Sequence, residues 1–186
     1  MIFSGRGLQI MGKRSSEFLL VDGYNIINAW PELSNEIKRV DLGSARDKLI
    51  DIMADYSAST GIFVIIVFDA HQVDKNRRTN YTINGVDVVY TKEGETADHY
   101  IEKIVDAIGR EEKVRVATSD WIEQQIVIGR GAGRISAREL YEEVNSLIKK
   151  RRAMEKSKAE SRNTLADIID PGVKELLEKH IKDLAE

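Results

Sequence analysis

Seven consecutive apolar residues, Ile62–Phe68 (IFVIIVF), begin after Gly61 and stop at Asp69. A β-branched and aromatic run with no polar alternation predicts a strand buried on both faces, as in the middle of a parallel sheet. Glu17–Val21 (EFLLV), Val86–Tyr90 (VDVVY) and Val114–Ala117 (VRVA) predict three further strands. Between them the period changes. Ala45, Leu49, Ile50, Met53, Ala54 and Tyr56 recur at helical spacing within Leu42–Ser59, with Ser44 as a candidate cap. Ala97, Ile101, Ile104, Val105 and Ile108 do the same within Thr96–Ile108, and a third helix follows Asp120 through Ile128. Ser136-Ala137-Arg138-Glu139 reads as a capping box opening a fourth helix, whose Leu140, Val144, Leu147 and Ile148 share a face. Gly23-Tyr24-Asn25 is expected to be a tight loop, His71–Tyr81 an exposed polar loop, and Gly129–Gly133 a helix-ending turn.

Strands alternating with helices predict an α/β fold: right-handed crossovers and a mostly parallel sheet covered on both sides. Residues 17–148 carry this pattern. Residues 1–16 are a short stretch rich in Gly, Ser and Arg without the apolar run of a signal peptide, and are expected to be a disordered extension, with Met11 a candidate for the true start. From Lys149 to Arg162 the chain carries seven basic and two acidic residues, a basic helical extension or linker. Asp170-Pro171 then opens a last short helix within 149–186.

Composition narrows the chemistry. A hydrophobic fraction of 42% and a charged fraction of 32% describe a globular chain, and no apolar run is long enough to span a bilayer. The absence of cysteine excludes disulfides, thiolate metal sites and cysteine nucleophiles, and suits a reducing cytoplasm. The net charge of −3 neither requires nor excludes a nucleic-acid partner.

The informative feature is where the acids fall. Asp22, Asp69 and Asp120 lie at the ends of strands, and Glu95 and Asp98 stand at the start of the helix after Val86–Tyr90. In an open parallel sheet these positions share the carboxyl edge, where ligands bind. Carboxylates gathered there raise one another's pKa unless a cation joins them. All-oxygen ligands select Mg2+ or Mn2+, which can activate water and neutralise a phosphodiester in cleavage. Asn25, three residues after Asp22, is a candidate to orient a water or phosphate oxygen, or else a turn residue. His71 and His99 flank candidate acids and are weaker candidates. Candidate RNA contacts are Lys75, Arg77 and Arg78 in the polar loop, Lys92, Arg130 and Arg134 on the glycine turn, and Arg151 and Arg152 in the tail. Gly129–Gly133 has neither the dinucleotide-binding nor the Walker spacing.

The segments LLVDGYNIINAW, VFDAH, GETADHYIE, TSDWIEQQIV and GRGAGRISARELYEEV resemble, in order, the bacterial YacP-like branch of the NYN domains, within the PIN-like nuclease superfamily. The likeness extends from Phe18 to Leu147, and SRNTLADIIDPGVKELLEK resembles the branch's C-terminal end. It implies a three-layer α/β/α sandwich of PIN-like type and a metal-dependent endoribonuclease. Asp22, Asp69 and Asp98 match the acidic active-site positions, Asp120 the more variable fourth, and Asn25 the last residue of the D-G-Y-N signature. It further implies a role in bacterial mRNA decay or RNA processing, acting on single-stranded mRNA. Docking on the ribosome through the basic loop and tail is the expected source of substrate choice. The alternative is a non-catalytic RNA-binding or ribosome-associated adaptor on the same fold. A phosphatase of the aspartyl-phosphate kind would need a second Asp two residues after the first, where this chain has Tyr24.

Overall fold

The structure, a computed structural model, describes residues 17–69, 80–108 and 111–168, with 159–168 as backbone only. The polar loop with Lys75, Arg77, Arg78 and His71, the N-terminal extension and the last short helix lie outside the described residues. The chain divides into two compact units, Met1–Val144 and Asn145–Glu186.

In the first unit the elements run β1 (Glu17–Asp22), α1 (Gly23–Ala29), α2 (Pro31–Arg39), α3 (Leu42–Thr60), β2 (Phe63–Phe68), β3 (Tyr81–Ile83), β4 (Val86–Tyr90), α4 (Ala97–Ile108), β5 (Lys113–Ala117), α5 (Trp121–Gly129) and β6 (Gly133–Ile135). The last helix, α6 (Ala137–Ile168), starts in this unit and continues into the second as one uninterrupted helix, which covers the basic stretch expected to be an extension or linker.

Among the described residues the strands form one sheet in the order β3-β4-β2-β1-β5-β6. β3 is antiparallel to β4, and every other neighbouring pair is parallel. β1 sits in the middle, and Leu19, Leu20 and Val21 are each 0% exposed. On one face Leu20, Ile65, Val67 and Val116 pack against Ala97, Ile101, Ile104 and Val105 of α4 and Val127 of α5. Side-chain alternation turns Leu19, Val21 and Ile66 to the other face, where α1 and α3 meet the sheet. A buried aliphatic side chain contributes about 1.5–3 kcal/mol, so the two faces carry most of the unit's stability.

Four expectations change. Gly23-Tyr24-Asn25 is the first turn of α1 rather than a tight loop, because the Asp22 side chain caps it by accepting from the Asn25 N–H. Gly23 is required there: a Cβ would stand 2.2 Å from Cε1 of Phe68. Asp41, not Ser44, caps α3, its Oδ1 accepting from the Ser44 N–H at 2.7 Å. Tyr81 leaves the polar loop to open β3, which pairs with β4 around a turn with Asn84 at φ 50° and Gly85 at φ 84°. The glycine turn does end α5, but Gly133 is already in β6.

Candidate metal and phosphodiester site

β1 is flanked by β2, reached by the crossover through α1–α3, and by β5, reached from β4 through α4. The chain reverses direction across the sheet between β1 and β5, which opens a crevice beyond their carboxyl ends. Asp22 ends β1 there, and Asp120 caps α5 just after β5, its Oδ1 accepting from Ile122 N at 2.7 Å and Glu123 N at 3.3 Å. Asn25 joins the two sides: its N–H donates to Asp22 Oδ1 at 3.2 Å, and its Oδ1 accepts from Ser119 N at 2.7 Å.

Three carboxylates converge in this crevice. Asp22, Asp98 and Glu123 each place an oxygen within 4.8 Å of the others. Asp98 sits in the first turn of α4, which Thr96 opens by accepting from His99 N at 3.2 Å. Glu123 lies on the inward side of α5, 2% exposed, and neither of its buried oxygens is paired with a cation among the described residues. Burial is the main force raising these groups. It lifts Glu123 to about 8, opposed by the Thr118 side chain and reinforced by the carboxylates of Asp98, Asp22 and Asp120. It lifts Asp22 to about 6, against the Asn25 N–H and with the help of Asp98, Asp120 and Asp69. Asp98 is raised by burial and then by Asp120. Asp69 and Asp120 thus act on the trio through their charge.

Burying a carboxylate with nothing to bind costs about 1–3 kcal/mol per unmet polar group, and more when it ionises. Asp22, Asp98 and the buried Glu123, with oxygens within 4.8 Å of one another, fit a hard divalent cation. The cluster could hold one.

The other predicted residues part company with the trio. Glu95 is drawn off: its Oε1 receives Lys103 Nζ at 2.5 Å and its Oε2 the Lys92 N–H at 3.5 Å, and the Lys103 hydrogen bond lowers its pKa. Arg130 is held by Asp106 and by Glu102, the latter at 2.9 Å. Arg134 pairs with Glu139 at 2.8 Å. Neither guanidinium is therefore poised for a phosphate. Lys92 is exposed, as are Arg151 and Arg152 on α6 in the second unit, and His99 points from α4 into solvent.

Glu123 is the residue the sequence pattern did not single out. Asp120-x-x-Glu123 has the spacing of a capping box, which makes its Glu look satisfied at the helix start. At Ser136-x-x-Glu139 that is what happens: Glu139 Oε2 accepts from Ser136 N and Oγ, both at 2.7 Å. At Asp120 the backbone N–H donates instead to Thr118 Oγ1 at 3.1 Å, which leaves Glu123 to turn inward.

Fold and site together define an α/β domain with a carboxylate cluster at the switch point of its sheet. The sequence model of the YacP-like NYN domain matches residues 19–182, and the chain belongs to that family. It is 48% identical over 132 residues to protein YacP of Bacillus subtilis (strain 168), which covers 70% of this chain and 76% of that one. The crystal structure of YacP from B. subtilis superposes with a TM-score of 0.65 at 41% identity, covering 90% of this chain and 94% of that one. A point mutant of the same protein gives 0.62 at 39%, covering 91% and 99%. No helix among the described residues is long and apolar enough to cross a membrane.

Proposed function

We propose that this chain is a metal-dependent endoribonuclease that cleaves phosphodiester bonds of single-stranded RNA at the β1/β5 crevice. The observation that carries the reading is Glu123, buried beside Asp22 and Asp98 with no cation paired to it among the described residues. Membership of the NYN family, whose domains resemble the PIN-like nucleases, supports it. In this reading Asp22, Asp98 and Glu123 hold Mg2+ or Mn2+, with Asp69 and Asp120 shaping the field around them. The ion, when bound, supplies the positive charge that activates a water and neutralises the phosphate and the departing oxygen. The chain's own part is positional. Asn25 clamps the start of α1 to the loop after β5, so the acids on either side keep their separation. Asp120 fixes the first turn of α5 and with it the inward direction of Glu123.

The nuclease domain in this proposal is residues 17–148, and 149–186 is a basic appendage that directs it. The net positive charge of Lys149–Arg162 motivates a finer step, docking on the ribosome that selects mRNA under translation. Deleting 149–186 is expected to change cleavage position and ribosome association, and if both persist this step falls.

The primary test incubates the protein with Mg2+ or Mn2+ and either naked mRNA or the same mRNA engaged by translating ribosomes. Cleavage abolished by EDTA and by Asp98→Asn is expected. No cleavage of either substrate by folded protein with bound metal would overturn the enzyme reading in favour of an RNA-binding adaptor.

A further inference from the structure

The first turn of α5 faces two ways. Glu123 and Gln124 are buried, whereas Trp121 is 69% exposed and Ile122 is 65% exposed. An indole left in water at that level is uncommon, because aromatic side chains supply much of the apolar area available for burial. Its place sharpens the question: Trp121 directly follows Asp120, at the rim of the acidic crevice. The other tryptophan, Trp30, is 1% exposed, donates from Nε1 to Ala137 O at 2.8 Å and packs edge-on against Tyr141.

A strand of RNA crossing this crevice meets carboxylates, which repel its phosphates. Among the described residues, two of the guanidinium groups expected to offset that repulsion, Arg130 and Arg134, are held in ion pairs with Asp106, Glu102 and Glu139. A flat aromatic face binds a nucleobase without reference to phosphate charge, and it tolerates any base because each has a π-face. We propose that Trp121, with Ile122 beside it, is a stacking platform for a base of single-stranded RNA next to the cleaved phosphate. This rests on the nuclease reading of the crevice. The occupant is an unpaired base, since a base stacked within a duplex offers no free face to the indole. Trp121 therefore selects for single strands and contributes to KM, while the carboxylates govern kcat.

The test uses the full-length chain and two readouts. In the Asp98→Asn protein with Mg2+, oligouridylate is titrated while indole emission is followed; Trp30 is buried, so quenching reports Trp121. Cleavage kinetics are then compared for wild type, Trp121→Ala and Trp121→Phe, with thermal unfolding as the check on folding. The expected results are quenching by the oligonucleotide and a KM about tenfold higher for Trp121→Ala, the order of one lost stacking contact. kcat should change by less than about twofold, and Trp121→Phe should recover most of the loss. An abasic residue placed beside the cleaved bond should reproduce the Trp121→Ala defect in wild type. No quenching, or an unchanged KM in Trp121→Ala, overturns the platform even if cleavage itself is robust. Quenching without cleavage by wild type keeps the platform and removes the nuclease reading, so the two can fail separately.

Discussion

β1 carries an acid at each end, and the two meet opposite fates. Glu17 opens the strand between cations: Lys113 Nζ stands 2.9 Å from its Oε2, and Arg115 Nε 2.9 Å from its Oε1, though poorly aligned for a hydrogen bond. The Lys113 hydrogen bond, with Arg115 behind it, lowers the pKa of Glu17 despite some desolvation. Arg115 also binds Glu143 at 3.0 Å and the Tyr56 hydroxyl at 3.0 Å, so that end of the sheet closes into a charge-balanced network. At the other end Asp22 is raised to about 6 by burial and then by the charges of Asp98, Asp120 and Asp69, with Glu123 close by. The same strand and the same chemistry give a structural ion pair where cations come with the fold, and a candidate metal site where the described residues bring acids together instead.

The sharpest way to break this contrast is to remove charge at each end and compare cleavage. Asp98→Asn should lower metal-dependent RNA cleavage by at least about a hundredfold with the fold intact. Glu17→Gln, at the compensated end, should leave it within about twofold. Equal losses in an RNA cleavage assay would mean that the acids at the β1/β5 crevice have no special standing.

Next in size is Glu123→Gln, measured by thermal unfolding with and without Mg2+. The folded pKa of Glu123, about 8, exceeds its ordinary 4.5. In cation-free protein its contribution is therefore fully present below about 4.5 and is lost as pH rises through about 8. At about 1.4 kcal/mol per unit the shift is worth several kcal/mol. Glu123→Gln should accordingly raise the melting temperature in EDTA at pH 8, and it should erase most of the stabilisation that Mg2+ gives wild type. A variant that melts lower than wild type under those conditions would show that the Thr118 hydrogen bond outweighs burial and that Glu123 is not held uncompensated.

Gly23→Ala tests the crevice through packing. The new methyl would press on the Phe68 ring, which is 0% exposed and stacked against Tyr90. A loss of about 1–3 kcal/mol is expected from crowding of this kind. Because Gly23 follows Asp22 directly, activity at a permissive temperature should fall as well. Denaturant unfolding with stability unchanged would mean that α1 shifts freely, and the strict spacing inferred between Asp22 and the loop after β5 would be wrong.

Apolar runs and helical spacing were sufficient for β1, β2, β4, β5, α3, α4 and the first turns of α6, because each buries a continuous face; α5 showed only as the segment between Asp120 and the glycine turn. The short pieces left weaker traces. β6 is three residues beginning at a glycine, too short for any period to register. β3 is equally short, yet Asn84-Gly85 with φ of 50° and 84° is the turn that a two-residue hairpin demands and could have revealed it. α1 was hidden by Gly23 and Asn25, poor helix formers whose placement depends on Asp22 as a cap. α2 had a legible mark in Pro31 at its first position. In the site, acids at strand ends could be read because topology alone gathers them. Glu123 and Glu95 could not be ranked, since their fates turn on the Thr118 hydroxyl and the Lys103 ammonium, neighbours that only the folded chain supplies.

The smallest expected effect is also the one that tests the sign of the contrast. Glu17 has a folded pKa below its ordinary 4.5, so its stabilisation is present above that value and is lost as pH falls through the folded one. Glu123 runs the other way. A series of melting temperatures in EDTA, from acid below the folded pKa of Glu17 up to about pH 9, should therefore separate the two variants by slope as well as by size. Glu17→Gln should sit below wild type by no more than about 1 kcal/mol at neutral pH, as partly exposed ion pairs do, and converge on it in acid. Glu123→Gln should track wild type in acid and rise above it towards pH 8. If both variants moved in the same direction with pH, the cations beside Glu17 would not be compensating it, and the division of β1 into a closed end and an open end would fail.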